Sequence, residues 1–248
     1  MPNWTACLTR CDGAQAMTGE TFTEPTTQYW QHLCDQVSAQ ETCPPFRLRY
    51  PVRLPDRRWL RLPIRTRQQD PDRAVASFIA NHASFAVLDA LAGHMADQVA
   101  SLEPDVVVGL PTLGLALATP LARRLGHDRI VPFGTSRKYW YDDRWSHDTC
   151  SITTTTPRRL YADPNLVPLL AGRRVLVVDD TISTGTTALA ALGLLHKIGA
   201  RPAGIALAMS QGDAWRSRLN PDQCALVSFV FHTPHFVRDR RAGGWVTI

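Results

Sequence analysis

The chain has 248 residues, 44% hydrophobic and 20% charged, with a net charge of +5. That is the composition of a globular protein large enough to bury a sizeable core, and no run of about 18 apolar residues offers a membrane span. The basic balance favours acidic small molecules as partners.

Only two of the 27 basic residues are lysines, Lys138 and Lys197. The N-terminus has no basic segment leading into an apolar one, so no secretory signal is read there and a cytoplasmic location is expected. Without that signal, the six cysteines are expected as reduced thiols. Cys7, Cys11, Cys34 and Cys43 are spaced too irregularly to argue for a zinc site.

Residues 1–45 are polar and read as an N-terminal extension with one short helix near 27–39, closed by Pro44 and Pro45. The segment 46–66, FRLRYPVRLPDRRWLRLPIRT, alternates apolar and basic residues on both sides of Pro55–Arg58, which predicts a hairpin. Its arginines read as a solvated face rather than a nucleic-acid surface. Asp70-Pro71 reads as a helix start. Val75, Phe78, Ile79, Phe85, Leu88, Leu91, Met95 and Val99 then recur at helical spacing as far as Leu102, with a break near Asn81-His82.

From 105 onward strands and helices alternate. DVVVGL (105–110) predicts a buried strand, PTLGLALATPLARRLG a turn and helix, and RIVPFGT (129–135) a second strand. Residues 136–160 form a long polar and aromatic loop of the kind that usually carries function. VLVV (175–178) and GIALAMS (204–210) are further buried strands around the helix that follows Thr187. The tail, 213–248, is expected to add strands outside this core. Such alternation predicts a three-layer α/β fold with a parallel sheet, binding its ligand beyond the C-terminal strand edges.

The chemistry concentrates in VLVVDDTISTGTT, residues 175–187. A buried strand runs into two carboxylates, Asp179 and Asp180, and then into Thr181, Ser183, Thr184, Gly185, Thr186 and Thr187 at the start of a helix. Hydroxyls and backbone N–H groups converging on a helix N-terminus make a phosphate site. A rigid carboxylate pair beside it accepts from a vicinal diol or holds the water shell of a divalent cation. A ribose 5-phosphate meets both demands. The loop is neither a GxxxxGK[ST] nor a GxGxxG motif.

This stretch resembles the phosphoribosyl pyrophosphate (PRPP) motif of the type I phosphoribosyltransferases. The resemblance implies a parallel-sheet core at about 104–212 under a variable hood drawn from 46–66 and 213–248, so that 46–248 is one domain. It assigns Asp179 and Asp180 to the ribose hydroxyls and to a water-mediated Mg2+, with Asp180 also catalytic, and Thr181 and Ser183–Thr187 to the 5-phosphate. Gly109–Gly114 falls where the family's pyrophosphate loop lies, which gives Thr112 and Leu113 to pyrophosphate; the basic residue common in that loop is missing here.

IVPFGTSRK resembles the Val-Pro-x strand end followed by Arg-Lys of adenine and xanthine phosphoribosyltransferases, and this implies that Arg137 and Lys138 neutralise the leaving group. Hypoxanthine-guanine members carry Asp where Ser183 stands and a Lys on the strand after the motif helix, and this chain has neither. The implied activity is transfer of a phosphoribosyl group from PRPP to a nitrogenous base, a purine such as adenine being favoured, by a homodimer with no nucleic-acid or membrane partner. The alternative is a regulator that senses PRPP without catalysis. Residues 1–45 show no helix-turn-helix or basic helix to serve such a role, and Arg137-Lys138 favours catalysis. Phe46, Trp59, Trp215 and Phe236 are candidates to stack on the base.

Overall fold

The computed structural model describes residues 27–149 and 159–248. The Ser-Ile-Thr-Thr stretch near 151 and three cysteines, Cys7, Cys11 and Cys150, lie outside them; Cys34, Cys43 and Cys224 are free thiols.

The hairpin forms as predicted. β1 (Arg49–Arg53) and β2 (Trp59–Arg67) pair antiparallel, Tyr50 opposite Leu62 and Val52 opposite Leu60, burying one face and leaving the arginines on the other. The helix read from Asp70 is corrected. Asp70–Ala76 is a strand, β3, with Ala74 and Ala76 buried at a period of two, and it pairs with β2. Without β3 the second edge of β2 would leave its backbone groups without partners, and supplying them outweighs the helix-start signal at Asp70-Pro71. The helix, α1 (Phe85–Val99), starts only after Ser84, whose hydroxyl accepts from the Val87 amide. Nor is there a helix at 27–39. That segment is a turn followed by one 3-10 turn, Ala39–Glu41, and it seats Trp30 in the core with Cys34 bridging to Trp59.

The parallel sheet has strand order β10-β9-β8-β4-β5. Its members are β4 (Val106–Gly109), β5 (Val131–Pro132), β8 (Arg174–Ile182), β9 (Arg201–Gln211) and β10 (Val227–Thr233). α2 (Gly114–Arg124) packs with α1 on one face, and α3 (Thr186–Ile198) covers the other. Side chains of β8 alternate accordingly, Leu176 and Val178 toward α1 and α2, Val175 and Val177 toward α3. A short hairpin, β6 (Ser146–Asp148) with β7 (Arg159–Tyr161), stands on the α3 side.

The tail divides. β10 runs parallel to β9 and extends the core sheet, which corrects the reading that put 213–248 outside it. Strand β10 carries buried Val230 and Phe231 and needs a sheet edge on which to place them. β11 (His235–Asp239) and β12 (Gly244–Thr247) instead continue the hood, whose order is β1-β2-β3-β11-β12. Phe46 and Trp245 exchange backbone hydrogen bonds of 2.8 and 2.6 Å, joining the two ends of that sheet. Between β9 and β10 lie two short helices, α4 (Ala214–Arg218) and α5 (Pro221–Ala225).

Candidate active site

β8 is hydrogen-bonded on both sides, to β4 and to β9, so its C-terminal end is held rigidly. Asp179 and Asp180 emerge there. The Asp180 amide donates to Asp179 Oδ1 at 2.9 Å, which fixes one carboxylate against the backbone of the next residue. Burial and the neighbouring Asp180 charge push the Asp179 carboxyl well above the usual aspartate range. Burial pushes Asp180, 8% exposed, up as well, with Asp179 and Thr181 pulling against the rise. Two carboxylates forced together out of water form a strong acceptor for hydroxyl donors or a hydrated cation.

The chain then turns through Ser183 and Thr184 to Gly185, whose φ of +77° favours glycine. With no side chain on Gly185 and no side-chain cap on α3, the amides of Thr186, Thr187 and Ala188 are left for a ligand. A cavity of about 150 Å3 opens against this turn, lined by Leu110, Asp179, Thr181, Ser183, Thr184, Gly185 and Thr187. Thr181 Oγ1 is buried without a hydrogen bond of ordinary geometry, an unsatisfied polar atom on the cavity wall. A larger hollow, about 830 Å3, lies on the hood around Glu41, Phe46 and Arg61 and contains none of the strand-edge groups.

The loop after β4 belongs to the same place. The Leu110 amide donates to the Val178 carbonyl at 2.9 Å, and the Pro111–Thr112 peptide is cis. Gly114 begins α2 so close to β8 that a Cβ on it would stand 2.6 Å from the Val178 carbonyl oxygen and 2.9 Å from Asp179 Oδ1. Thr112, two residues before that contact, is exposed, and Leu113, immediately before it, is partly buried. The sequence singled out this loop for Thr112 and Leu113; the glycine that lets α2 approach Asp179 was visible only as a helix start.

Arg137 and Lys138 stand apart from this group. Arg137 Nε donates to Asp143 Oδ1 at 2.9 Å, an ion pair within the long loop. Among the described residues no hydrogen bond or ion pair joins either side chain to residues 179–187. Gly134 and Tyr161, which flank the loop, exchange backbone hydrogen bonds, while Tyr139 near its start is 91% exposed. Of the four stacking candidates, Phe46, Trp215 and Phe236 are consumed by the core, and Trp59 is partly buried under Arg53. A residue no motif announced does reach the turn. Arg218 Nη1 donates to Thr186 Oγ1 at 3.1 Å.

A strand-edge carboxylate pair joined to a hydroxyl-rich turn at a helix N-terminus on a parallel sheet is the arrangement expected of a phosphoribosyl-handling protein, and comparison with known proteins agrees. The family model described as "Phosphoribosyl transferase domain" matches residues 75–237. The chain is 34% identical over 145 residues to an adenine phosphoribosyltransferase of Acidiphilium cryptum, covering 55% of this chain and 77% of that protein. It is 32% identical over 155 residues to the one of Streptomyces coelicolor, covering 59% and 76%. The crystal structure of adenine phosphoribosyltransferase from Rhodothermus marinus shares the fold, with a TM-score of 0.55 at 20% identity over 69% of this chain and 93% of that one. The chain belongs to the phosphoribosyltransferase family. It is a PRPP-dependent enzyme of the glycosyltransferase kind, transferring a phosphoribosyl group to a base.

Proposed function

We propose that the acceptor base is adenine, which PRPP converts to the nucleoside 5-monophosphate with release of pyrophosphate. The observation that carries this reading is the cavity of about 150 Å3 on which Asp179, Thr181, Ser183, Thr184, Gly185 and Thr187 converge, with Asp180 next to it on the same strand end. Similarity to adenine phosphoribosyltransferases over more than half of the chain supports adenine as the base.

In this reading the carboxylates of Asp179 and Asp180 accept from the ribose 2- and 3-hydroxyls. Thr181, Ser183, Thr184, Gly185, Thr186 and Thr187 hold the 5-phosphate through hydroxyls and amides, and Thr112 and Leu113 offer backbone amides to pyrophosphate. Breaking the C1–O bond leaves oxocarbenium character on the sugar and negative charge on the departing pyrophosphate. The protein therefore has to place cations near the leaving group and keep water away. Arg137 and Lys138 serve the first need when the 136–160 loop folds over the site, which requires Arg137 to leave Asp143. Tyr139 and Trp140, the first fully and the second half exposed, serve the second.

The donor set fits Mg2+, since two adjacent carboxylates completed by water and substrate oxygens suit a hard cation. Bound there through water by Asp179 and Asp180, Mg2+ supplies charge neutralisation of the diphosphate. The proposal includes a homodimer, for which the exposed Phe85 beside Leu115 and Ala116 offers an apolar surface. The test is incubation with Mg-PRPP and separately adenine, hypoxanthine, guanine and orotate, following pyrophosphate. Adenine is expected to give rapid release and the others little; release with orotate alone, or with none, refutes the assignment.

A further inference from the structure

The turn that holds the phosphate is pressed from behind by a helix far along the chain. Trp215 in α4 and Leu219, the residue just after that helix, lie four residues apart and both are buried. Trp215 Nε1 donates to the buried Ser210 Oγ at 3.0 Å, and Leu219 Cδ1 lies 2.6 Å from where a Cβ on Gly185 would stand. These two side chains clamp the helix onto the turn and leave little freedom in where its arginines point.

The arginines have different environments. Arg216 stacks on the Trp215 ring at 4.3 Å and donates to Asp213 at 3.0 Å, so its charge is neutralised locally. Arg218 turns inward instead, to Thr186 Oγ1, which is itself 3.0 Å from Thr184 Oγ1. Among the described residues no carboxylate pairs with it. A guanidinium at the first residue of α3 faces the positive end of that helix, a position that repels a cation unless an anion lies between them. The guanidinium and the Thr184 and Thr186 hydroxyls thus sit together at the start of α3, whose first amides have no side-chain cap, and the amides and the guanidinium are all donors.

We infer that Arg218 is a ligand of the substrate's 5-phosphate, an added cation that the motif segment itself lacks. This rests on the reading of Ser183–Thr187 as the 5-phosphate turn. One N–H of the guanidinium is used by Thr186, and the remaining ones are free for charge-assisted bonds to phosphate oxygens. The 5-phosphate does not change during the reaction, so Arg218 contributes equally to ground state and transition state. Its loss raises KM for PRPP and leaves kcat alone.

The experiment is calorimetric titration of the full chain and of Arg218→Gln and Arg218→Lys with ribose 5-phosphate, and in parallel with Mg-pyrophosphate. Arg218→Gln is expected to weaken ribose 5-phosphate about tenfold with pyrophosphate unchanged, and Arg218→Lys to recover part of the loss. Steady-state assays should show the same factor in KM for PRPP and none in kcat. Equal weakening of both ligands, or none of either, overturns the assignment while leaving the turn as the phosphate site. Failure of the unsubstituted protein to bind ribose 5-phosphate overturns the turn itself, and Arg218 with it.

Discussion

Replacing Gly185 by Ala tests the packing of the Ser183–Thr187 turn most directly. The backbone at Gly185 has φ +77°, where an L side chain costs about 1–2 kcal/mol. The new methyl would also stand 2.6 Å from Leu219 Cδ1 and 3.3 Å from Trp215 Cβ, both closer than ordinary contact. Relief requires Leu219 to leave its buried position, giving up a share of the roughly 1.5–3 kcal/mol that burying a leucine contributes. Together these give a destabilisation of about 2–4 kcal/mol.

Gly126 supplies the control, since its φ is +81° and an added Cβ there meets nothing within 4 Å. Gly126→Ala should therefore lose only the backbone part, about 1–2 kcal/mol. At roughly 2–4 °C per kcal/mol for a chain of this size, differential scanning calorimetry separates the two variants by several degrees. Titration with PRPP should show weakened binding for Gly185→Ala alone, because moving Leu219 moves α4 and the turn together. Equal melting temperatures for the two variants would refute the claim that α4 presses on the turn.

Three further outcomes follow from the same geometry. The Asp179 carboxyl titrates higher in the folded chain than its ordinary 3.8, so its ionisation opposes folding: that stability is complete below about pH 4 and is lost as pH rises through the folded value. Asp179→Asn should thus raise the melting midpoint of the unliganded protein at pH 7.5, with little effect at pH 3.5, and abolish PRPP binding; a variant midpoint no higher than that of the unsubstituted protein at pH 7.5 contradicts it. Asp179→Asn with Asp180→Asn should lose PRPP binding with the fold intact by circular dichroism, and normal binding by the double variant removes the ribose assignment. Arg137→Ala with Lys138→Ala should lower kcat by about a hundredfold with little change in PRPP affinity; equal losses in both would make these residues ground-state ligands.

The sequence made the catalytic half of this protein legible because its signals are local. Strand, carboxylate pair, hydroxyl turn and helix follow one another within residues 174–198, and each is set by neighbours one to four positions away. A buried apolar strand ending in charge, and a glycine opening an amphipathic helix, keep their meaning wherever the segment lies. The hood was less legible for the same reason in reverse. Asp70–Ala76 holds a helix-start signal, Asp70-Pro71, and one member of the helical apolar series, Val75; its two-residue alternation exists in burial, not in sequence, and the pairing with β2 selects the strand. β10 and β11 are adjacent in sequence, separated by Pro234, yet they join different sheets according to which edge is open.

The contacts that finish the site were beyond any local rule. Arg218 meets Thr186 across 32 residues of chain, and nothing about an arginine in a five-residue helix marks it apart from Arg216 two positions earlier. Gly114 is needed because α2 and β8 meet there, a distance that exists only once both are packed on β4. Residue order along one segment therefore determined what chemistry the protein has. Which distant side chains crowd against that segment was decided by the packing of sheet, helices and hood, since burial of apolar surface acts between parts of the chain that share no sequence neighbourhood.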